Sequence, residues 1–279
     1  MKEMLEGLRI SACLILFTYA SLSDYKTREV SNSVWIIFAP PAFALTFIEL
    51  FLYEPSHMPF YGVCFGLTAA LAVILFYSGG FGGADAKALM CLALAIPFYP
   101  KNLFMPLSGE VSPLSQNFFP VTVFSNSVLL AALTAIYMLL RNAFWCQKTG
   151  KKLFEEHKEE SFWKKLLVSI TGYKVPVEKL REKWHLYPLE DVETAEEELK
   201  RKLIVVPKDE GRNAILERLT NAIKTGKVQN AIWATPGLPM LIFVTVGLFT
   251  ALFVGDVVWI FISFLLRYKG YLCSAITLS

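Results

Sequence analysis

The segment Gly79-Gly80-Phe81-Gly82-Gly83-Ala84-Asp85-Ala86-Lys87 divides two apolar runs, 60–77 before it and 86–98 after it. Glycine populates positive φ freely and lets backbone or ligand approach closely. The chain is therefore expected to turn here and open a new helix at Asp85. A carboxylate at a bilayer boundary is costly to desolvate and marks a functional site by default. A second acid, Asp24, stands in the same relation to the end of the apolar run 8–23.

Working outward, the chain is 54% hydrophobic and 18% charged, below the roughly 25% charged content of soluble domains. The charge is unevenly placed: 19 of 27 Lys and Arg and 15 of 24 Asp and Glu fall within 141–235. Long apolar segments with few charges elsewhere are the pattern of an integral membrane protein. The net charge of +3 is not arranged as a basic face interleaved with aromatics, so no nucleic-acid partner is expected.

A hydrocarbon core of about 30 Å takes about 20 helical residues. Six spans are expected, at 8–23, 33–53, 60–77, 86–98, 120–140 and 238–266. The first and fourth are short, and Arg9 and Lys87 near their ends are expected to snorkel to the interface. Gly255-Asp256 is expected to end the sixth near residue 254. The first run has no small-x-small cleavage site after it, so it reads as a retained helix rather than a removed signal.

Lys and Arg in the loops set orientation. Lys26 and Arg28 follow the first span, and the nineteen basic residues lie between the fifth and sixth. Both connections fall on one side, which is expected to be cytoplasmic, with the N-terminus outside. Asp24 then ends a span at the cytoplasmic face and Asp85 begins one there. The two acids are expected at the same depth despite their separation in sequence.

The fold class expected is an all-α polytopic membrane protein with six transmembrane helices and a small α+β cytoplasmic domain inserted between helices 5 and 6. The divisions are 1–140 for the five-helix part carrying both acids, 141–235 for the insert, and 236–279 for the sixth helix and tail. Within the insert, Thr194-Ala195-Glu196-Glu197 has capping-box form and is expected to start a helix running to about residue 203. A second helix is expected over 211–224, with short strands at 173–177 and 203–206. The prolines at 100, 106, 113 and 120 make 99–119 an ordered external loop. Cys13, Cys64, Cys91, Cys146 and Cys273 are scattered, and His57, His157 and His185 stand apart. A structural zinc site needs about four convergent ligands, so no metal or cofactor is expected.

Two carboxyl groups within hydrogen-bonding reach share a proton across neutral pH. The ionised member can take a proton from an attacking water while the protonated member stabilises the oxyanion, after which the roles reverse. At a helix N-terminus the macrodipole favours the Asp85 anion, whereas desolvation favours its neutral form. Gly82-Gly83-Ala84-Asp85-x-Lys87 resembles the GxGD signature of membrane aspartyl proteases, particularly the archaeal type IV prepilin and preflagellin peptidases. Asp24-x-Lys26-x-Arg28-x-Val30-x-Asn32 resembles the first-aspartate segment of that family. Ala84 stands where the pattern has its second glycine. The resemblance implies that Asp24 and Asp85 are catalytic, with Gly82, Gly83, Lys87, Lys26, Arg28 and Asn32 in support. It also implies a prepilin-like or preflagellin (archaellin) precursor as substrate, cut between a short basic leader and a hydrophobic helix at the cytoplasmic face of the lipid bilayer. Bacterial relatives carry a cysteine-rich zinc module and methylate the new N-terminus; without those cysteines, peptidase activity alone is expected.

Two other readings use the same residues. A proton-coupled transporter would run a relay through Asp24, Asp85 and Asp256, although transporters favour midplane acids and repeated halves. A noncatalytic pilus or archaellum assembly subunit would dock a partner on the insert. Asp256 reads as an external helix terminus, Glu49 as structural, and Pro236-Gly237-Leu238-Pro239 as a rigid lead-in to the last span.

Overall fold

A computed structural model of the chain describes residues 1–79, 81–195, 198–205, 211–226, 228–237 and 239–276. It divides into two compact units: a helical unit of 1–131 and 239–279, and an α/β unit of 132–238. The helical unit contains α1 (Lys2–Thr27), α2 (Asn32–Tyr53), a 3-10 turn (Pro55–His57), α3 (Met58–Tyr77), α4 (Gly83–Ala95), α5 (Pro113–Asn117), the start of α6 (Phe119–Thr149), α10 (Met240–Phe253) and α11 (Val257–Ile276). Among the described residues, four helical segments are long and apolar enough to cross a bilayer: α1, α2, α3 with its preceding 3-10 turn, and α6. The α10–α11 pair, bent by 52°, makes a fifth if taken as one span.

The expected fourth span is a shorter helix than a full crossing requires. At 13 residues and about 1.5 Å per residue, α4 extends roughly 20 Å, against a core of about 30 Å. None of its residues is exposed. Ala86, Ala88, Leu89, Cys91, Leu92, Ala93 and Ala95 are buried among α1, α2, α3 and α10. Alanine suits this position because small side chains let surrounding helices approach closely.

A helix that stops inside such a bundle leaves its last carbonyls without intrahelical donors, and hydrocarbon supplies none. Three neighbouring helices supply them here. Thr46 Oγ1 of α2 donates to Leu94 O at 2.7 Å, and Tyr61 OH of α3 donates to the same oxygen at 3.1 Å. Arg9 Nη1 of α1 donates to Ala95 O at 2.7 Å and to Thr46 Oγ1 at 3.1 Å. Arg9 is neutralised by Glu49, 2.7 Å away, and both side chains are buried. The expected snorkelling of Arg9 is thus corrected: its guanidinium faces the negative end of α4, where a cation is favoured. Lys87 likewise turns to a protein partner, Asn32.

Elsewhere the helical unit closes on small and hydroxylated residues. Ser21 Oγ lies 2.6 Å from Thr245 Oγ1 and donates to Leu241 O at 2.8 Å, joining α1 to α10. A Cβ at Gly247 would stand 2.8 Å from Val123 O and 2.2 Å from Ser127 Oγ, so α10 meets α6 at backbone distance. The 99–119 connection is ordered through Tyr99 OH, which donates to Leu252 O, and Leu107 N, which donates to Phe253 O. Asp256 is the helix terminus expected of it. Its carboxylate accepts from Trp259 N in the first turn of α11 and from Ser112 Oγ.

The α/β unit holds the rest of α6, then α7 (Phe162–Thr171), β1 (Tyr173–Val175), α8 (Val177–Glu182), β2 (Leu186–Pro188), β3 (Glu190–Ala195), β4 (Glu198–Leu203), α9 (Arg212–Lys224) and β5 (Ile232–Pro236). An antiparallel sheet runs β1-β5-β2, and β3 and β4 form a separate hairpin. The helix expected over 211–224 is present as α9, and the strand expected at 173–177 is present as β1 over its first three residues only, because Pro176 caps α8 and Val177 begins it. The helix expected from Thr194 is corrected: Thr194 and Ala195 end β3, and Glu198–Leu203 is β4; the strand expected at 203–206 is corrected too, since Leu203 ends β4 and Ile204 and Val205 lie beyond it, while Glu196, Glu197 and Val206 lie outside the described residues. Tertiary contacts overrode the local capping pattern. Arg201 pairs with both Glu190 and Glu156, Glu190 also faces His157 at 2.8 Å, and Leu203 packs with Val168, Leu189 and Trp233. The hairpin puts Arg201 and Leu203 beside those partners at once.

Removing one partner of a buried ion pair leaves an uncompensated charge, at a cost of about 3–5 kcal/mol. Arg9→Met is therefore expected to destabilise the protein by about that amount, with part of the loss recovered in the Arg9→Met/Glu49→Met double variant. Thermal unfolding of the three proteins in detergent measures this.

Candidate active site

Asp24 and Asp85 line one cavity of about 420 Å³, together with Arg28, Glu29, Val30, Ser31, Asn32, Gly82, Gly83 and Ala84. Both acids are half-buried, and they are close enough to interact electrostatically. Asp85 sits at the start of its helix and Asp24 at the end of its own. Asp85 is the third residue of α4, and its Oδ2 accepts from the backbone N–H of Gly82 at 3.0 Å. Asp24, in the last turn of α1, lies one turn beyond Ser21, whose hydroxyl bonds Leu241 O in the first turn of α10, and the Leu241 backbone bears on its carboxylate. Helix N-termini present unpaired N–H groups and partial positive charge, so one carboxylate is held at the positive end of α4 and the other stands near that of α10. The second of these, α10, gives no sign of itself in the sequence around Asp24.

The glycines divide the work differently from expectation. Gly79 has φ +77° and makes the turn after α3; Gly80 lies outside the described residues. Gly82 has φ −72° and ψ 161°, which any residue adopts. Its purpose is space, since a Cβ there would stand 3.1 Å from Asp85 Oδ2. Gly83 and Ala84 are the first two residues of α4, where alanine is a good helix former. The alanine in the second glycine position is thus compatible with the local backbone.

The opposite wall is the connection from α1 to α2. Arg28 takes the left-handed conformation, φ 58° and ψ 18°, and its N–H donates to Asp24 O. This C-terminal role normally falls to glycine, and a non-glycine residue there is held by its surroundings. Ser23 Oγ and Thr27 Oγ1 both donate to Glu29 O, at 2.8 and 3.0 Å. The guanidinium of Arg28 interacts with Asp24. Lys87 Nζ donates to Asn32 Oδ1 at 2.6 Å, tying α4 to the first residue of α2. Of the supporting residues expected, Gly82, Gly83, Arg28 and Asn32 line the cavity and Lys87 reaches it through Asn32. Lys26 is exposed on α1 and is not part of the lining. Glu29 and Ser31 are lining residues that sequence reasoning passed over. Among the described residues, no group of three or more His, Cys, Asp and Glu side chains is gathered to hold a metal ion.

Residues 11–138, which carry both acids, match the model of the type IV leader peptidase family. Residues 164–257 match the model described as archaeal peptidase A24 C-terminus, type II. The chain belongs to the archaeal type IV prepilin and preflagellin peptidase family, and is a protease with several membrane-capable helices. It is 28% identical over 240 residues to the preflagellin peptidase of Methanococcus voltae, covering 85% of this chain and 91% of that protein. With the preflagellin peptidase of Methanocaldococcus jannaschii it shares 24% over 252 residues, covering 88% and 93%. The preflagellin peptidase of Methanococcus maripaludis is 22% identical over 245 residues.

Hydrogen bonds to charged groups contribute roughly 1.5–3 kcal/mol, so loss of the Lys87–Asn32 bond should loosen the cavity wall. Lys87→Met is expected to raise amide hydrogen exchange across 28–33 by about tenfold or more, the factor that 1.4 kcal/mol carries. Exchange in α2 beyond its first turn should be unaltered, as mass spectrometry of peptides from both regions would report.

Proposed function

We propose that this protein is a membrane aspartyl endopeptidase that removes short basic leader peptides from preflagellin or prepilin-like precursors. The observation that carries the proposal is the convergence of Asp24 and Asp85 on one 420 Å³ cavity. In the proposed reaction one aspartate is ionised and the other protonated. The ionised carboxylate takes a proton from a water molecule as the water oxygen bonds to the scissile carbonyl carbon. The protonated carboxyl donates to the developing oxyanion. The C–N bond then breaks as the first carboxyl returns its proton to the leaving amine. The products are a new carboxylate and a new N-terminus, and neither a covalent intermediate nor a metal is invoked. Asp24 and Asp85 are the catalytic residues. Gly82 gives the Asp85 carboxylate room, while Arg28, Lys87 and Asn32 position the walls.

The proposal extends to topology. Helices α1, α2, α3 and α6 and the α10–α11 pair are read as five membrane passes, and α4, too short to cross by itself, as the helical part of a sixth, shielded inside the bundle. The division is 1–140, 141–235 and 236–279, with the insert and the acid-lined cavity cytoplasmic and the N-terminus outside, following the distribution of Lys and Arg. Water is available at such an interface, and a helical substrate would need to unwind only at its end. The transporter relay has less support. Asp256 is bonded to Ser112 and Trp259, and it lies a full helix from Leu241, about 20 Å at 1.5 Å per residue.

The test is cleavage of a leader-bearing preflagellin in membranes. General acid–base catalysis contributes roughly 10²–10⁴-fold, so Asp24→Asn and Asp85→Asn should each lower cleavage by at least that factor while the protein still folds. Full activity in either variant would sink the dyad. Three acids (Asp24, Glu29 and Asp85) face one Arg in the cavity lining, which suits a basic leader. Glu29→Lys is accordingly expected to raise KM several-fold with little change in kcat, a difference absent for a substrate whose leader lysines are replaced by glutamine.

A further inference from the structure

Helix α7 is amphipathic the wrong way round for a helix surrounded by water. At 100° per residue, Phe162, Leu166, Ile170, Trp163 and Leu167 form one continuous apolar face. Phe162 and Trp163 are each 70% exposed, and Leu166 and Leu167 are exposed beside them. The opposite side carries the contacts with the rest of the unit. Val168 and Ser169 are buried, Lys164 Nζ reaches Glu160, and Lys165 Nζ donates to Lys158 O. The polar edge thus turns toward protein and the aromatic face toward the surroundings.

The depth of α7 is fixed by its tie to α6. Asn142, buried on α6, donates through Nδ2 to Ser169 O and Gly172 O, both at 2.9 Å. Arg141 stacks over the Tyr173 ring at 3.5 Å. These two residues end the apolar stretch of α6, whose Leu133, Ile136, Tyr137 and Leu140 are exposed as a lipid-facing helix requires. The C-terminal end of α7 is therefore held at the level where α6 leaves the hydrocarbon. The exposed apolar surface continues past that level to Phe144. Tryptophan is enriched at that depth, because its ring is apolar and its N–H seeks water. Residues 148–165 carry six lysines against four glutamates, a balance that complements anionic headgroups.

We propose that α7 lies in the membrane interface, its Phe162–Trp163–Leu166–Leu167 face inserted among the lipids of an anionic bilayer. This fastens the α/β unit to the membrane surface independently of its covalent connection through α6. It is the arrangement of an interfacial amphipathic helix, embedded in a multi-pass chain.

The test uses the full-length protein in liposomes whose lipids are brominated near the glycerol end of the acyl chain. Bromine quenches only tryptophans in contact with lipid. Trp163 is one of six tryptophans, so Trp163→Phe should lower the quenchable emission by on the order of one-sixth of the total. Quenching of the wild-type protein that is the same as in Trp163→Phe would overturn the proposal. So would a Trp163 contribution that is blue-shifted yet insensitive to bromine, with Trp163→Cys cross-linking between copies; the face would then be covered by a second molecule. Leu167→Glu supplies a further reading. It should bring the remaining Trp163 emission toward that of an aqueous indole, and an unchanged spectrum would again count against lipid contact.

Discussion

The helical unit depends on the satisfaction of a short helix at both ends. Helix α4 has no exposed residue and ends before it has crossed a bilayer's thickness. Its free carbonyls must then be met by side chains, because an unpaired buried polar group costs of the order of 1–3 kcal/mol. Arg9, Thr46 and Tyr61 meet them from three different helices, which fixes α1, α2 and α3 about a common point. At the other end the free amides of α4 stand beside the cavity, with Asp85 bonded back to Gly82. An intramembrane arginine and glutamate, unusual in isolation, follow from the same requirement.

That arrangement also separates structure from chemistry along the bundle. The Arg9–Glu49 pair is mutually neutralised, buried and bonded, and so holds the scaffold at one end of α4. Asp24 and Asp85 are half-buried and line a cavity, a setting in which carboxyls can exchange protons with water. Arg9 and Glu49 also border a cavity, with Lys2, Glu6 and Glu54, so what sets the two groups apart is the direct ion pair at one and two half-buried acids beside a helix start at the other.

Much of this was readable in the sequence because hydrophobic runs and glycine punctuation are local. The helices from α1 to α3, the turn before Asp85 and the break at Gly255-Asp256 follow from patterns a few residues long. Loop charges are the ground for expecting Asp24 and Asp85 at one level, and both line the same cavity. What escaped was set by distant partners. Arg9 reads as a snorkelling residue until the carbonyl of Ala95 is known to wait for it. The amide of Leu241 beside Asp24 has more than two hundred intervening residues to conceal it. Glu198–Leu203 has the composition of a helix, and becomes a strand because Arg201 and Leu203 must reach Glu190 and Trp233 together.

The enclosure of α4 has a consequence for how the protein meets different membranes. A helix in contact with lipid responds to bilayer thickness by tilting, bending or distorting its surroundings, each at a cost of fractions of a kcal/mol per ångström of mismatch. Helices α1, α2, α3 and α6 expose apolar side chains and are open to that stress. Helix α4 exposes none, and its last carbonyls are bonded to those same neighbours. The element that carries Asp85 thus meets the lipid only at second hand, and changes in lipid chain length reach it by way of the helices bonded to it.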